Sequence, residues 1–332
     1  MPSMKAIVIR EVGGPDVLKV EDKPIPQPSA GQVLIRVKAF GLNRSELFTR
    51  QGHSANEVQF PRVLGIEATG VVAEAPGNEF PKGSVVATAM GGMGRKFDGG
   101  YAEYTCVPAD QVVLIESSEP EDMNWAMLGA IPEMFQTAYG ALTKSLKLQA
   151  SDRLLIRGGT SSVGLAAAAI ARNHFHVQNI GGTSRKGDQK TADLLKNSGV
   201  TETLVDDGKI APQLKEKYDK VLELVGVTSL LDSLRCVKPG GIVCMAGMVG
   251  NSWLFDDAFS PMAAIPTSVC LTTYSGAVEE VKATPLKEIW EQAKGKKLEV
   301  PIGKIFHGLE SIVEAHACMD ESSARGKIVI VV

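Results

Sequence analysis

Residues 153–164, with the sequence RLLIRGGTSSVG, contain the pattern that decides the fold. Arg153 to Arg157 are typical of a short buried strand, and they lead directly into a turn rich in glycine and serine at residues 158–164. The alanine-rich segment that begins at Val163 predicts a helix. A strand, a glycine-rich turn and a helix in this order predict a dinucleotide site, because the turn and the helix N-terminus direct backbone N–H groups at a pyrophosphate.

The turn departs from the dinucleotide fingerprint G-x-G-x-x-G at one position. The chain has Gly159, then Ser161 where the second glycine is expected, then Gly164. An ordinary turn between a strand and a helix is the alternative interpretation, but the flanking strand and helix favour a phosphate-binding loop. The serine hydroxyls are expected to add hydrogen bonds to phosphate. Five consecutive residues are predicted to hold the pyrophosphate: Thr160, Ser161, Ser162, Val163 and Gly164.

The residues after the second strand of such a fold select the cofactor, because they lie near the adenosine ribose, about 20 residues beyond the fingerprint. Enzymes that use NAD have an acidic residue there, whereas this chain has Ser184 and Arg185, with Lys190 one turn further on. A carboxylate would repel the 2′-phosphate of NADP, while serine, arginine and lysine bind it through charge-assisted hydrogen bonds. Basic residues in loops are often only solvated, but the missing acid and the clustered bases together favour NADPH.

A regular alternation of strands and helices surrounds this loop and predicts a doubly wound parallel sheet, the Rossmann fold. The predicted strands are residues 153–157, 178–181, 202–205, 220–225, 242–245 and 269–272. The predicted helices are residues 163–174, 189–198, 209–217 and 229–237. Ala246 and Gly247 follow the fifth strand, where open α/β sheets bind ligands, and their small size would let a nicotinamide approach the backbone. Thr272, in the sixth strand, is also expected to bind the cofactor.

The first third of the chain predicts a second domain, made of short antiparallel strands. Apolar segments such as residues 5–9 and 33–37 alternate with glycine and proline turns, which predicts a closed or partly open β-barrel. Strand-like segments with similar turns resume after Tyr274 and end at residues 326–331. We therefore predict a discontinuous catalytic domain at residues 1–123 and 276–332, with the dinucleotide-binding domain inserted at residues 124–275.

Composition excludes several other classes of protein. The chain has 332 residues, a formal net charge of −3 with charges of both signs interspersed, and no basic region of the kind that binds nucleic acid. The longest apolar run, residues 163–171, is too short to cross a bilayer, and the N-terminus is not typical of a targeting sequence. The five cysteines are scattered and odd in number, which predicts free thiols in a reducing compartment. We expect a cytoplasmic protein with neither nucleic acid nor membrane as a partner.

Five segments together make the chain resemble a known family: Gly41 to Glu46, Pro61 to Glu67, Gly99 to Tyr104, Gln136 to Gly140, and the phosphate loop. The chain is similar to the zinc-free quinone oxidoreductases of the zeta-crystallin type, within the medium-chain dehydrogenase/reductase superfamily. The resemblance covers nearly the whole length. It implies a GroES-like β-barrel catalytic domain with an inserted Rossmann domain, and a homodimer formed through the edge strand of the Rossmann sheet. It also implies NADPH-dependent hydride transfer to quinones or other α,β-unsaturated carbonyl compounds.

The resemblance implies chemistry without zinc. The zinc alcohol dehydrogenases of the superfamily have a cysteine ligand where this chain has Asn43, and a histidine ligand, in a Gly-His-Glu triplet, where it has Ile66. Neither an amide nor an isoleucine is a suitable ligand for tetrahedral zinc. The lobe that holds structural zinc in those enzymes needs four cysteines, and residues 88–100 contain none.

Candidate catalytic residues then follow from the family's cleft. Without a Lewis acid, a hydrogen-bond donor must face the developing oxyanion, and the resemblance places Asn43 and Ser45 there, with Arg50 in the same segment. Thr137 matches a threonine that lies against the nicotinamide in relatives. Phe48 stands where the quinone reductases usually have tyrosine, so the donor of the final proton stays open between water and a nearby hydroxyl.

Three other functions remain as alternatives. An enoyl-thioester reductase shares the fold, but those enzymes use a tyrosine near residues 41–52, and this chain has none between Asn43 and Pro61. A zinc alcohol dehydrogenase with displaced ligands is a second alternative. A non-catalytic NADPH-binding or structural protein is the third, since a cofactor site is compatible with both.

Overall fold

The computed structural model describes residues 2–53, 58–255 and 258–332. These residues form sixteen strands: β1 (Ser3–Ile9), β2 (Lys19–Pro24), β3 (Gln32–Leu42), β4 (Arg62–Val63), β5 (Glu67–Glu74), β6 (Val85–Ala89), β7 (Tyr104–Pro108), β8 (Val112–Glu116), β9 (Arg153–Arg157), β10 (Asn179–Ser184), β11 (Glu202–Val205), β12 (Tyr218–Glu223), β13 (Val237–Met245), β14 (Cys270–Thr273), β15 (Ile302–His307) and β16 (Lys327–Val331). They also form ten α-helices: α1 (Arg44–Arg50), α2 (Trp125–Ala130), α3 (Pro132–Gly140), α4 (Ser162–Asn173), α5 (Gln189–Asn197), α6 (Val227–Ser233), α7 (Pro261–Ala264), α8 (Val278–Ala283), α9 (Leu286–Lys294) and α10 (Ile312–Asp320).

The chain divides into two compact units. Unit 1 comprises residues 1–136, 276–294 and 302–332, and unit 2 comprises residues 137–275 and 295–301. The N-terminal side of this division lies later than the boundary at residue 124 that the sequence predicts. The physical reason is α2, whose residues contact β3 and β16 of unit 1.

Unit 1 is built from two sheets. Strands β2, β1 and β4 form an antiparallel sheet of three, and the second sheet has the order β15-β16-β3-β5-β6-β8, with β7 also paired to β3. The 11 residues of β3 are long enough to pair with β7 over residues 32–36 and with β16 over residues 39–42, while β5 pairs along them as well. Strand β16 therefore brings the C-terminal segment into the second sheet, between β15 and β3, as the recurrence of strand-like segments predicts.

Unit 2 is a six-stranded parallel sheet in the order β11-β10-β9-β12-β13-β14. This order is that of the doubly wound dinucleotide-binding fold, and it confirms the predicted fold class. Leu154, Leu155 and Ile156 of the central strand β9 have no exposed surface, as expected for a strand covered on both faces. Buried alanines along α4 allow this helix to pack closely on the sheet.

The predicted helix at residues 209–217 is wrong. Only a short 3₁₀ turn, Ala211–Gln213, forms there. The carboxylate of Asp232 accepts hydrogen bonds from the backbone N–H groups of Ile210 and Ala211, and Pro212 has no N–H to donate. Ile210 is buried in the hydrophobic core of the unit and Leu214 packs against that core, so the segment runs over the sheet without completing a helix.

His316 on α10 is buried in unit 1, and its protonation makes the stability of the folded chain depend on pH. Its Nε2 lies 3.3 Å from the hydroxyl of Tyr101, and its Nδ1 has no hydrogen-bond partner among the described residues. Burial, with a smaller effect of the Arg50 charge, lowers the pKa of His316 to about 3. The unfolded chain binds a proton at this histidine below about pH 6.5, whereas the folded chain does so only near pH 3.

We therefore expect His316 to cost the folded state stability as pH falls from about 6.5 towards 3, by up to about 1.4 kcal/mol per pH unit. Urea unfolding of the wild type and of His316→Phe across this range measures the effect, and the difference between the two curves should change with this slope. A difference independent of pH would contradict a neutral, buried His316.

Candidate functional site

The phosphate loop of unit 2 is closed by its own serine. Ser161 caps α4, because its Oγ accepts a hydrogen bond from the N–H of Gly164 at 3.1 Å and donates one to the carbonyl oxygen of Gly158 at 2.8 Å. A β-carbon at Gly164 would lie 2.6 Å from that same carbonyl oxygen, so only glycine fits there. The serine in place of the fingerprint's second glycine therefore stabilises the turn. Its hydroxyl proton is used within the loop, which corrects the expectation that it is donated to phosphate.

A buried arginine anchors this loop to the sheet. Arg157 has no exposed surface, and its guanidinium donates to both carboxylate oxygens of Asp206, at 2.8 and 2.9 Å, and to Asp232 at 2.7 Å. Burial opposes ionisation of Asp206, but the hydrogen bonds and charge of Arg157 outweigh it and lower the pKa of this carboxyl. Thr183 connects the two, since its Oγ1 accepts from the N–H of Gly158 and donates to Asp206.

The residues predicted to select the cofactor lie at the end of β10. Ser184 is half-buried, and its Oγ accepts from the backbone N–H of Lys186 at 3.2 Å. Arg185 and Lys190 are exposed. The nearby acid Asp206, whose N–H donates to the carbonyl oxygen of Ser184, is neutralised by Arg157. The exposed cations of Arg185 and Lys190 at this point suit a phosphate monoester.

The other predicted cofactor residues occupy the expected elements. Ala246 and Gly247 directly follow β13, and a β-carbon on Gly247 would lie 2.7 Å from the carbonyl oxygen of Leu224. Thr137, on α3, is 8% exposed. Thr272 lies in β14, the outermost strand, where its hydroxyl donates to the Thr273 carbonyl oxygen at 3.4 Å. Their roles stay predictions.

Unit 1 contains a buried ionic cluster that sequence reasoning missed, which we call the Lys327 cluster: Asn43, Glu46, Glu67, Glu133 and Lys327. The ammonium of Lys327, which has no exposed surface, lies 2.5 Å from Asn43 Oδ1, 2.6 Å from Glu67 Oε1 and 3.4 Å from Glu133 Oε2. Its three N–H groups thus face three acceptors, which is what a buried lysine needs to remain charged. Burial alone would lower the pKa of Lys327, but Glu67 and Glu133 raise it above the usual value.

Glycine at position 41 allows the cluster to form. A β-carbon there would overlap the Lys327 side chain and the Glu67 carboxylate. Gly41, Asn43 and Glu67 belong to two of the segments that carry the family resemblance, so those segments meet at one buried cation. The signals in the sequence were a lysine at the start of an otherwise apolar strand and acids in otherwise apolar surroundings.

The structure corrects the predicted role of Asn43. Only Oδ1 of its amide can accept from the Lys327 ammonium, so Nδ2 faces the other way, where it donates to Glu67 at 3.0 Å and to Glu46 at 3.3 Å. Both hydrogens of Nδ2 are therefore used inside the cluster. Asn43 has no side-chain hydrogen left to donate to a substrate oxygen, and its role is to orient the charged groups around it.

Glu46 is the second buried acid beside Asn43. Its carboxylate accepts from the backbone N–H groups of Asn43 and Ile66, each at 3.0 Å. Burial raises the pKa of Glu46 to about 7, against the lowering effect of these hydrogen bonds and of Lys327. This carboxyl therefore takes up a proton near neutral pH.

The structure also argues against a catalytic role for Arg50. Its side chain is 1% exposed. The guanidinium is paired with Asp320 at 2.7 Å and donates to the carbonyl oxygen of Gly13 at 2.8 Å, so it holds α1 to neighbouring segments of unit 1. A side chain buried in an ion pair is not available to bind substrate.

Ser45 is the remaining catalytic candidate, and it is half-buried. Its Oγ accepts a hydrogen bond from Nη2 of Arg95 at 2.7 Å. Arg95 was not predicted from the sequence. It lies in a loop, and no local signal in the sequence separates it from other loop arginines.

The residues present do not fit a catalytic zinc. Ile66 offers no donor atom, Oδ1 of Asn43 and Oε1 of Glu67 are bound to the Lys327 ammonium, and Oε2 of Glu67 accepts from the N–H of Glu133. Within residues 2–53, 58–255 and 258–332, no group of three or more His, Cys, Asp or Glu side chains is arranged to hold a metal ion. No helix in those ranges is long and apolar enough to cross a membrane.

The chain is similar to known dehydrogenase domains and to quinone oxidoreductases. Residues 29–117 match the alcohol dehydrogenase GroES-like domain, and residues 192–330 match a domain described as zinc-binding dehydrogenase. A quinone oxidoreductase from Pongo abelii is 30% identical over 341 residues, which span 98% of this chain and 97% of the relative. A mycobacterial protein solved in complex with NADPH has a TM-score of 0.84 and 26% identity, covering 99% of this chain and 100% of its own. The quinone oxidoreductase of Coxiella burnetii shares the fold, with a TM-score of 0.83, 24% identity and full coverage of both chains.

We expect Lys327→Met to reduce the free energy of unfolding by about 3–5 kcal/mol, because it leaves buried carboxylates without their cation. Urea denaturation at pH 7.5 measures this loss. Lys304→Met is the matched control: the exposed pair of Lys304 with Glu314 should contribute less than about 1 kcal/mol. Equal losses in the two variants would contradict a charged Lys327 at the centre of the cluster.

Proposed function

Because the chain belongs to the quinone oxidoreductase family of the medium-chain dehydrogenase/reductase superfamily, we propose that it is a zinc-independent reductase that uses NADPH to reduce quinones or other α,β-unsaturated carbonyl compounds. Two features carry the proposal. Unit 2 contains the phosphate loop, and unit 1 contains the Lys327 cluster, whose residues do not suit a zinc ion. The family membership supports an oxidoreductase that binds a nicotinamide cofactor.

The preference for NADPH rests on charge at the end of β10. A 2′-phosphate would meet the hydroxyl of Ser184 and the cations of Arg185 and Lys190. Asp206, an acid bonded to this strand end through its backbone N–H, is neutralised by Arg157, so it does not repel the phosphate. Residues Thr160 to Gly164 would hold the pyrophosphate through backbone N–H groups at the start of α4. The cofactor supplies the hydride, and the mycobacterial neighbour solved with NADPH supports the assignment.

The proposal of zinc independence rests on the Lys327 cluster. A zinc ion bound by these residues would have to displace an ammonium that three acceptors already hold, and Ile66 would not ligate it. The fixed positive charge of Lys327 instead orients Asn43 and the acids around it.

Two further expectations belong to this proposal. Strand β14 is the edge of the parallel sheet, and its residues are exposed or half-buried, which suits pairing with a second copy of the chain in a homodimer. All five cysteines are free thiols, which suits the reducing environment of the cytoplasm.

The proposed activity is tested by following NADPH absorbance with purified protein and a panel of quinones and enones. We expect at least one acceptor to accelerate NADPH oxidation at least tenfold over the rate without acceptor, and we expect EDTA dialysis to leave that rate unchanged. If the purified protein contained stoichiometric zinc and lost its activity on chelation, the proposed zinc independence would be refuted. Binding of NADPH without acceptor-dependent oxidation would favour a non-catalytic NADPH-binding protein.

Arg185→Ala tests the assignment of the cofactor. We expect the Kd for NADPH to rise about tenfold or more, because a charge-assisted hydrogen bond to phosphate is lost, while the Kd for NADH stays within twofold. Fluorescence titration measures both. Lys196→Ala, at the other end of α5 and also exposed, serves as the control and should change neither Kd. Equal weakening of NADPH and NADH in Arg185→Ala would remove this residue from the 2′-phosphate site.

A further inference from the structure

The structure leaves Ser45 as the one predicted catalytic side chain that can still donate a hydrogen bond. Asn43 uses both amide hydrogens inside the Lys327 cluster, and Arg50 is buried in an ion pair. From the remaining geometry we infer that Arg95 is a positioning residue, which orients and polarises the Ser45 hydroxyl so that it donates to the substrate carbonyl oxygen. This inference rests on the proposed reductase function and adds a residue to it.

The loop that carries Arg95 is built to reach this point. Gly94 has a φ of 72°, and a β-carbon on it would lie 2.9 Å from the backbone nitrogen of Gly65. A β-carbon on Gly99 would overlap the carbonyl oxygens of Leu64 and Gly65. Two glycines thus let the loop press against the segment 64–65, which directly precedes the Lys327 cluster residue Glu67.

Hydrogen bonds fix the loop in this position. The N–H groups of Gly99 and Gly100 donate to the carbonyl oxygens of Val63 and Gly65, at 2.8 and 3.0 Å. The carboxylate of Asp98 accepts from the N–H of Val63 at 3.0 Å and pairs with Lys23 at 2.6 Å. Arg95 is therefore presented by an anchored loop rather than by a solvated one.

The contact between the two side chains determines where the serine proton points. A hydroxyl has one hydrogen to donate, and a guanidinium has no acceptor. Because Nη2 of Arg95 donates to Ser45 Oγ at 2.7 Å, the hydrogen of Ser45 is directed elsewhere and is available to an incoming acceptor. The positive charge behind the oxygen makes that hydrogen a stronger donor.

This arrangement supplies what reduction of a conjugated carbonyl needs. When hydride adds to the β-carbon of an enone, the electron pair of the C=C bond moves towards the carbonyl and the oxygen becomes negative. The hydroxyl of Ser45 donates a hydrogen bond to that oxygen and keeps its proton, and water then provides the proton that completes the saturated product. The two electrons come from NADPH, so no other reductant is required. A fixed donor that faces the developing oxyanion lowers the barrier.

The kinetic test uses Ser45→Ala, Arg95→Ala, Arg95→Lys and the double variant, with NADPH and an acceptor that the wild type reduces. Ser45→Ala and Arg95→Ala should each lower kcat about 10- to 100-fold, with the KM for NADPH within twofold of the wild type. The double variant should lose no more than the worse single variant, because both act through one hydrogen bond. Arg95→Lys should recover part of kcat, and added methylguanidinium should rescue Arg95→Ala but not Ser45→Ala.

Lys96→Ala is the matched control, since this exposed lysine is the next residue of the same loop, and its kcat should match the wild type. A kcat in Arg95→Ala within twofold of the wild type would overturn the inference. So would losses that multiply in the double variant, because they would show that the two side chains act independently.

A second measurement separates failure of this inference from failure of the proposed function. A phenol that absorbs as its phenolate, such as 4-nitrophenol, mimics the oxyanion and can be titrated onto the protein in the presence of NADP⁺. The wild type and Lys96→Ala should lower the apparent pKa of the bound phenol, and Arg95→Ala should not. If no acceptor is reduced while this Arg95-dependent shift occurs, the reductase function fails and the inference stands. If the shift is also absent, the inference is overturned.

Discussion

The buried ammonium of Lys327 is the interaction on which the architecture of unit 1 depends. It joins the start of β16 to the start of α1 through Asn43, to the start of β5 through Glu67, and to α3 through Glu133. Transfer of an ammonium and several carboxylates out of water is costly, and the cost is offset only if every N–H and every carboxylate oxygen finds a partner. Because the groups around Lys327 are almost completely paired, we expect the surrounding positions to tolerate little change, Gly41 least of all, since any side chain there would occupy the space of the lysine.

Unit 2 also contains a buried, paired cation, at the edge of the sheet that carries the phosphate loop. Arg157, also without exposed surface, ends the central strand β9 and binds Asp206 beyond β11 and Asp232 on α6. Through Thr183 the resulting network reaches the first N–H of the phosphate loop. In both units a buried cation with several acceptors holds together segments that are distant in the chain, and in unit 1 Gly41 leaves room for that cation. The polar side chains at the surface, Ser45 and Ser184, are thereby placed on rigid supports.

Local patterns predicted the fold well because each element carries its own signal. The strands 153–157 and 202–205 have the bounds expected from apolar content and flanking turns, and the glycine-rich turn identified the Rossmann unit from twelve residues. The helix predicted at residues 209–217 is wrong, because the apolar residues of this segment pack into the core without helical structure. The carboxylate of Asp232 on α6 accepts hydrogen bonds from the first N–H groups of the segment.

The candidate site was harder to predict from the sequence. Lys327 and Asn43 are 284 residues apart, and no local pattern pairs a lysine in one strand with an amide so far away. The family resemblance placed Asn43 correctly in the sequence but could not show which partners its amide would choose.

The Lys327 cluster also shows what a zinc ligand at position 43 would disturb. Asn43 stands where the zinc enzymes have cysteine, and in this chain its amide oxygen accepts from an ammonium while its nitrogen donates to two carboxylates. A thiolate at position 43 would bring a further negative charge next to Glu46 and Glu67, and both carboxylates would lose the hydrogen bond that Nδ2 of Asn43 donates to them. A cysteine ligand at position 43 would therefore require compensating changes among the charged groups around Lys327, because the substitution alone removes two hydrogen bonds that stabilise the buried carboxylates.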